Sequence, residues 1–578
     1  MTVSDRYARL GDWLWYLMFA AGSSAACVAT AWQIGATFDE PIYVTRSLEG
    51  WRTASHAGLL HLGTMPLALD LFSLPLFLWE RWHGTSFDLP QDVESMLPWF
   101  RLPALVFWWL LLIYARLIGR RLGGPWGGRL AVAFLACEPS LLAHASLGTT
   151  DVAVTACLLA FAYHFRTGRE STWPRQLAWP AIWYAAAVLA KASGLVFGPL
   201  CMVVLEGERL ARQGTLRRPP RHGITSWCRE TWDHFRPLRR DMVVIVGAGL
   251  ALVFVYCGCD WKPLPSFVAW AHSLPDGLTG REMAWLSEHL CVFSNAGEGL
   301  LRQVSHNMRG HGVFMLGKSG PSYFWYYFPV ALTMKLSVPL LLGPLVVAAV
   351  RWRSLLNWAL LTAAVFLLFS LNCHVQIGIR LVLPLCAMLA VGLAAALSQA
   401  VRSDTPSWQR HLLTAVAVVA VLWPAAAAVA VWPNWLCYHN ELWGGTARGY
   451  LRLSDSNYDW GQGVPELARW RQHHADTPLD VWYFGTDPAL ERLPAHQLRL
   501  HSLAIETADD VLVRVRGHYL AASTTLLYGG YARGDEGKSM RNAAHFLRGQ
   551  KPVARTTTFL IYDFTRPEAE IAAKAQHH

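Results

Sequence analysis

Two adjacent carboxylates, Asp39 and Glu40, follow the first long apolar segment in the stretch "QIGATFDEPIYVTR". Four other ionisable residues stand inside or at the ends of later apolar segments: Asp151, Lys191, Lys335 and Arg380. A charged side chain inside a membrane costs about 2.5–3.5 kcal/mol on insertion scales, so such residues are functional candidates. Carboxylates suit proton transfer or metal binding, and cationic side chains suit an anion such as a lipid phosphate. The set predicts a site for acid–base chemistry on an anionic lipid headgroup.

Each residue also has a purely structural interpretation. Asp39 and Glu40 could be a solvated loop pair, and Asp151 could stabilise the N-terminus of its helix. Lys191 could extend its ammonium to the membrane interface, and Arg380 could anchor a helix end. Lys335 is hardest to explain this way, because it lies inside an apolar segment.

The elements that position these residues are membrane-spanning helices. Of the 578 residues, 53% are hydrophobic and only 16% are charged, whereas a soluble protein has about 25% charged residues. Apolar segments of about 18 residues or more recur, and each can cross a bilayer core. The 29 Trp residues cluster at segment ends, as expected for interfacial aromatic belts. The sequence therefore predicts an all-α polytopic membrane protein.

The apolar segments and basic loops predict about 11 spans. They cover residues 12–33, 101–119, 127–143, 150–166, 177–191, 194–206, 242–259, 326–349, 355–371, 381–400 and 411–432. The fifth and sixth are the least distinct, since "LAKASG" interrupts one apolar stretch. Five Arg-rich loops fall on one side if the N-terminus is cytoplasmic, which predicts an extracytoplasmic C-terminus in a plasma (inner) membrane.

Three long segments then face outward: 34–100, which carries the acidic pair, 260–325, and the tail. The apolar but Pro-interrupted part of 34–100 predicts interfacial helices. The sequence predicts a transmembrane domain over 1–433 and a small extracytoplasmic α/β domain over 434–578. In the tail, "PELARWRQHH" has helical spacing, and "LDVWYFGT", "HYLAASTTLLYGG" and "TTTFLIYDF" are strand-like.

The net charge of +10 does not predict a nucleic-acid partner, because the Arg residues lie in short loops between spans. The 11 Cys residues show no metal-binding spacing. Disulfide pairing on the outer side among Cys259, Cys291, Cys373 and Cys437 stays open.

Four stretches resemble the phospholipid-carrier-dependent glycosyltransferases of the GT-C superfamily, akin to the protein O-mannosyltransferase and aminoarabinose transferase group. They are "TFDEPIYV", "CEPSLLAHASLGTTDVAVT", "GPSYFWYYFPVALTMKLSVP" and "YHNELWGGTARGYLRLSDSNYDWGQGVPELARW", in family order over nearly the whole chain. The resemblance implies a GT-C fold and an enzyme that moves a sugar from a polyprenyl-phosphate carrier to a protein, lipid or glycan acceptor, with inversion.

The resemblance also implies roles for individual residues. Asp39 would be the catalytic base and Glu40 its support. Arg380 would hold the carrier phosphate, and Leu381 follows it where relatives have His. Lys191, Lys335 and His311 would lie near the phosphate or sugar, and Asp151 would face the same cleft as an acceptor or metal ligand. A divalent cation between Asp39 and Asp151 is conceivable, although no ligand spacing requires one.

Two other functions compete with this one. A transporter or flippase for a lipid-linked sugar predicts polar residues through the membrane depth and inverted repeats, and neither is evident. A non-catalytic relative that binds protein or glycan through its tail would not need the acidic pair. The roles of Asp455 and Asp459 in the tail stay open.

Overall fold

Apolar segments that leave water must satisfy their backbone hydrogen bonds internally, and the chain does so with helices. The computed structural model describes residues 3–214, 231–320, 323–401, 405–529 and 534–565. Part of the predicted basic loop 207–240 and the last residues of the predicted tail domain lie outside these ranges.

All the regular secondary structure among the described residues of the first half of the chain is helical. Its helices are α1 (Val3–Ala31), α2 (Glu40–Thr53), α3 (Ala57–Leu60), α4 (Leu67–His83), α5 (Val93–Arg101), α6 (Ala104–Cys137), α7 (Pro139–Ala145), α8 (Thr150–Gly168), α9 (Trp179–Ala190), α10 (Gly194–Arg212) and α11 (Arg236–Cys257), with a π-helical turn at Pro174–Ala178. Segment 34–100 thus folds into four helices, and their position at the membrane interface stays a prediction.

The middle of the chain continues the helical bundle. It contains α12 (Pro265–Ala271), α13 (Leu278–His289), α14 (Ser294–Arg309), the hairpin β1 (Val313–Met315) and β2 (Lys318–Gly320), α15 (Tyr327–Lys335), α16 (Val338–Arg351), α17 (Trp358–Ser370), α18 (Leu383–Ala400) and α19 (Ser407–Val431). Short 3-10 helices lie at Trp352–Leu355, Ile379–Val382, Trp435–Cys437, Glu441–Trp443, Thr446–Leu451 and Asp455–Asn457.

Among the described residues, six helices are long and apolar enough to cross a membrane, or seven if the bent pair α7–α8 is one span. They are Leu10–Ala31, Val93–Cys137, Arg236–Cys257, Val338–Leu355, Ile379–Ala400 and Ser407–Val431. The predicted count of 11 is not confirmed. Several predicted spans form shorter helices, such as α9 with 12 residues and α17 with 13.

The second and third predicted spans both lie in α6, which is interrupted at Gly124. Gly124 has φ 72°, a left-handed conformation that glycine adopts readily. A Cβ on Gly119 would lie 2.5 Å from the carbonyl oxygen of Gly127, so the chain folds back on itself after the break. The stretch labelled α6 therefore consists of two helices that pack against each other, in agreement with the two apolar segments in the sequence.

The tail forms a five-stranded mixed sheet of order β4-β3-β5-β7-β6. Its elements are α20 (Val464–Gln472), β3 (Leu479–Trp482), β4 (His496–Gln497), α21 (Ala508–Val515), β5 (Tyr519–Ser523), α22 (Thr524–Tyr528), α23 (Gly534–Arg548), β6 (Ala554–Arg555) and β7 (Phe559–Asp563), with 3-10 helices at Pro488–Arg492 and Leu500–Ser502. The predicted C-terminal α/β unit is confirmed. The stretch "HYLAASTTLLYGG" is only half strand, since it turns into helix at Thr524.

Candidate functional site

Asp39 lies where α2 begins, because Pro41 in the first turn starts the helix there. Asp39 occupies the N-cap position, yet its side chain makes no capping hydrogen bond. Its Oδ2 instead accepts a hydrogen bond from Arg380 Nη1 at 3.0 Å. The carboxylate is 24% exposed, so it is paired and still accessible.

Arg380 connects this carboxylate to a second one. It lies in the 3-10 helix Ile379–Val382 and is buried. Its Nη1 is also 3.9 Å from Asp151 Oδ2. The guanidinium stacks over the ring of Trp460, 4.1 Å from the ring centroid. Arg380 is therefore fixed by two anions and an aromatic face.

Asp151 lies in the first turn of α8, and its carboxylate is buried. Lys191, at the break between α9 and α10, donates from Nζ to Asp151 Oδ1. The structure thus brings together four of the predicted residues in one continuous ionic chain, Asp39–Arg380–Asp151–Lys191, with two negative and two positive charges. We call these four residues the charged cluster.

Several buried polar atoms at the charged cluster lack a hydrogen-bond partner within the part of the chain that the structure describes. They are Arg380 Nε, Asp151 Oδ2, Thr149 Oγ1 and His144 Nδ1. An unsatisfied buried polar atom costs about 1–3 kcal/mol. A cluster that bears this cost is suited to a polar ligand that supplies both acceptors and donors.

Glu40 has surroundings quite unlike those of its neighbour Asp39. Its side chain is fully buried, and it accepts hydrogen bonds from Arg101 Nε at 2.8 Å and Nη2 at 2.7 Å. The backbone N–H groups of Thr37 and Gly148 also donate to it. Burial raises the pKa of Glu40, but Arg101 and these N–H groups outweigh burial and lower it overall. Glu40 is thus an ionised anchor with no access to solvent.

Arg101 completes this anchor, although the sequence analysis did not identify it. Its Nη1 donates to the carbonyls of Ala31 and Ile34, and its Nη2 also donates to Gly35 O. With Glu40, these acceptors use all five N–H groups of the guanidinium. Arg101 therefore fixes the chain between α1 and α2. The available signal was a lone Arg within the apolar stretch "PWFRLPALVFWW".

Lys335 is not part of the charged cluster. Its Nζ donates to three backbone carbonyls, those of Leu436, Tyr438 and Asn457, at 2.8, 2.6 and 2.8 Å. These bonds use all three ammonium protons. Lys335 therefore connects the end of α15 to the chain that follows α19 through these hydrogen bonds.

His311 is also outside the charged cluster, in the loop after α14, where its ring lies 5.9 Å from that of His306. His306 itself is within electrostatic reach of Arg380 and Asp39. Burial and the neighbouring cations lower the pKa of His306, which favours its neutral form. His306, not identified from the sequence, is thus electrostatically coupled to the charged cluster.

The donor set does not form a divalent-cation site between Asp39 and Asp151. The Arg380 guanidinium lies between these two carboxylates, so the position is already cationic. Among the described residues, no group of three or more His, Cys, Asp or Glu side chains could hold a metal ion. Cys259, Cys291, Cys373 and Cys437, which the sequence predicts to lie outside, are all described and form no disulfide.

Of the two tail carboxylates whose roles the sequence leaves open, Asp455 interacts electrostatically with Arg380 and Asp39 of the charged cluster. Asp455 is buried and has φ 57°, a strained backbone conformation for a residue other than glycine. Burial raises the pKa of Asp455 to about 7, although Arg380 opposes the shift. Asp459 accepts hydrogen bonds from Thr525 N and Thr524 Oγ1, and burial raises its pKa to about 6. Asp459 thus joins this segment to the sheet.

Comparison with known proteins follows the motifs. A family model described as dolichyl-phosphate-mannose-protein mannosyltransferase matches residues 97–223. The match confirms the resemblance to carrier-dependent glycosyltransferases over the segment that contains Asp151 and Lys191, and it indicates a glycosyltransferase. The comparison with curated proteins gives no match.

Solved structures of two enzymes are similar to the chain. ArnT from Cupriavidus metallidurans bound to undecaprenyl phosphate is 13% identical, with a TM-score of 0.42 over 96% of this chain and 99% of that one. The Archaeoglobus fulgidus oligosaccharyltransferase tethered to an acceptor peptide is 11% identical, with a TM-score of 0.43 over 96% of this chain and 75% of that one.

Proposed function

We propose that this membrane protein is an inverting glycosyltransferase that moves a sugar from a polyprenyl monophosphate carrier to a hydroxyl or amine acceptor. The observation that carries the proposal is the contact between an accessible carboxylate, Asp39, and a buried guanidinium, Arg380. A base and an anion-binding group side by side suit a reaction that removes a proton and releases a phosphate.

Asp39 is the proposed general base. Asp39 is more exposed than Glu40 and Asp151, which are buried and each paired with a cation. Asp39 takes the proton from the acceptor as the acceptor oxygen or nitrogen bonds to the anomeric carbon. In the same step the bond between that carbon and the phosphate oxygen breaks, which inverts the configuration.

Arg380 is the proposed phosphate-binding residue. The phosphodiester of the donor carries one negative charge and the released monoester carries two, so negative charge develops on the leaving group. Arg380 Nε has no hydrogen-bond partner in the described structure and can donate to that oxygen without giving up Asp39. A preorganised donor aimed at developing charge lowers the barrier.

Glu40 supports the base without taking part in proton transfer. Its carboxylate is saturated by Arg101, Thr37 and Gly148, so it fixes the backbone on which Asp39 stands. Lys191 acts through Asp151, whose second oxygen faces Arg380.

We further propose that the reaction takes place on the outer side of the plasma membrane. The Arg-rich loops predict a cytoplasmic N-terminus, which puts the loop with Asp39 and the tail outside. The partners are then a polyprenyl-phosphate sugar within the membrane and an acceptor that approaches from the extracytoplasmic side.

The test is Asp39→Asn in membranes supplied with a labelled lipid-linked sugar. Loss of a general base should lower transfer by about 10²- to 10⁴-fold. Glu49→Gln is the matched control, since Glu49 lies on the same helix, is exposed and forms a surface ion pair with Arg46. Transfer at the wild-type rate by Asp39→Asn would rule out this base. Headgroup translocation without sugar transfer by the wild type would instead favour a transporter.

A further inference from the structure

The loop that carries Asp39 is held by the tail. Gly35 N donates to Gln462 O at 2.9 Å, and Phe38 N donates to Trp460 O at 2.7 Å. From a second part of the tail, Asp487 Oδ2 accepts from Ala36 N at 2.8 Å. Successive backbone groups just before Asp39 are therefore paired with residues far away in sequence.

The tail also holds the segment that carries Arg380. Ile379 N donates to Asn457 Oδ1 at 3.1 Å, and Ser456 Oγ donates to Ile377 O. The approach requires a glycine, because a Cβ on Gly378 would lie 2.2 Å from Ser456 Oγ. Both halves of the Asp39–Arg380 pair thus rest on residues 455–462.

Trp460 touches both halves at once. Its carbonyl accepts the N–H of Phe38, the residue before Asp39, while its ring lies under the guanidinium of Arg380. Trp460 is almost completely buried, and its backbone N–H donates to Gln462 Oε1 at 2.8 Å, so the residue has little freedom to move. A buried aromatic face attracts a cation and also limits its orientation.

We propose that the tail segment 455–462 is an integral part of the reaction site and that Trp460 is its positioning residue, which holds Arg380 against Asp39. This inference rests on the proposed function. Without the aromatic face, Arg380 has a second anion, Asp151, toward which it can turn. The base and the phosphate-binding group would then lose their common geometry while both remain present.

The test replaces Trp460 by Leu, which removes the aromatic face, and by Phe, which keeps one. Loss of a desolvated cation–π contact predicts a drop in kcat of about 30-fold for Trp460→Leu, with KM for the donor changed by less than about 3-fold. Trp460→Phe should stay within about 3-fold of the wild-type kcat, since it retains a ring under the guanidinium.

The matched control is Trp443→Leu. The guanidinium carbon of Arg452 lies 5.3 Å from the centroid of the Trp443 ring, so this variant removes a second Arg–Trp contact from the same part of the chain. It should leave kcat unchanged. A kcat lowered equally in Trp443→Leu and Trp460→Leu, or a Trp460→Phe variant as impaired as Trp460→Leu, would overturn the positioning role.

A second readout separates this inference from the proposed function. Affinity for a short-chain isoprenyl monophosphate reports the geometry of Arg380 without turnover, and Trp460→Leu should weaken it about 10-fold. If the wild type transfers no sugar but Trp460→Leu still weakens this binding, the proposed function fails and the positioning role stands. If transfer and binding are both unchanged in Trp460→Leu, the positioning role is wrong and the proposed function is unaffected.

Discussion

The adjacent carboxylates Asp39 and Glu40 should respond in opposite ways to the same change, loss of charge at constant shape. Glu40→Gln replaces one carboxylate oxygen by an amide NH₂. Oε1 receives Arg101 Nε and Gly148 N, and Oε2 receives Arg101 Nη2 and Thr37 N. In either amide orientation, the new NH₂ therefore faces at least two donors.

The cost follows from burial. Breaking one partner of a buried ion pair costs about 3–5 kcal/mol, because the other charge is left uncompensated. Glu40 and Arg101 are both essentially inaccessible to solvent, so screening does not reduce this value. Because the pKa of Glu40 is lowered in the folded protein, its stabilisation is present above pH 4.5 and is lost as pH falls below that value.

Asp39→Asn should behave differently. The side chain is partly exposed, and the Asn oxygen can still accept from Arg380, so the cost should stay below about 1.5 kcal/mol. We expect Asp39→Asn to unfold like the wild type and to lose transfer. Glu40→Gln should lose several degrees of Tm and lose transfer only as far as folded protein is lost.

The assay measures thermal unfolding of the purified protein by Trp fluorescence together with transfer per folded molecule. A Glu40→Gln variant with wild-type Tm and no transfer would refute the assignment of Glu40 as an anchor, since it would then take part in the chemistry. An Asp39→Asn variant that unfolds as early as Glu40→Gln would show that Asp39 is structural.

Three further results follow from the contacts. Arg380→Lys keeps the charge but loses the planar donor edge and the stacked face, so transfer should fall by about 10²-fold with little change in donor KM, measured by steady-state kinetics. Lys335→Met leaves three buried carbonyls without their donor and should lower the free energy of unfolding by about 3 kcal/mol or more. Limited proteolysis should then cleave the tail earlier than in the wild type. Normal stability with lost transfer would favour a phosphate-binding role. Asp455 has a raised pKa of about 7, so the folded protein favours its protonated form, and the stability that this form contributes is lost as pH rises from about 4 to 7. Asp455→Asn should therefore raise Tm at pH 8, by the equivalent of up to about 4 kcal/mol, and leave Tm unchanged near pH 4. An equal gain in Tm at both pH values would contradict this.

The sequence predicts the charged cluster well because the cost of a charge near apolar segments singles out few residues. Asp39, Asp151, Lys191 and Arg380 stand at segment ends, and the structure brings all four into one ionic chain. The same argument selects Lys335 but cannot give its partners. Those partners are backbone carbonyls, which every residue has, so residue types do not reveal which carbonyls are involved.

The fold class and the C-terminal sheet also follow from the sequence, but the number of spans does not. Hydropathy measures the length of an apolar run, whereas the structure decides where that run turns. The chain turns at Gly124 and between Ala190 and Gly194, where the sequence also predicts span boundaries, but the lengths of the helices on either side differ from those of the predicted spans. Tertiary contacts at these breaks, including the salt bridge of Lys191, fix geometry that composition alone leaves open.

In the proposed mechanism, the arrangement of Arg380 would let one residue contact both the base and the leaving phosphate. An in-line attack needs the base and the leaving phosphate on opposite sides of the anomeric carbon. Nη1 of Arg380 holds Asp39, and Nε, on another side of the planar group, has no partner in the described structure. A phosphate bound at Nε would leave the Asp39 contact intact. The plane of the guanidinium, set by Trp460, would then determine the line of attack.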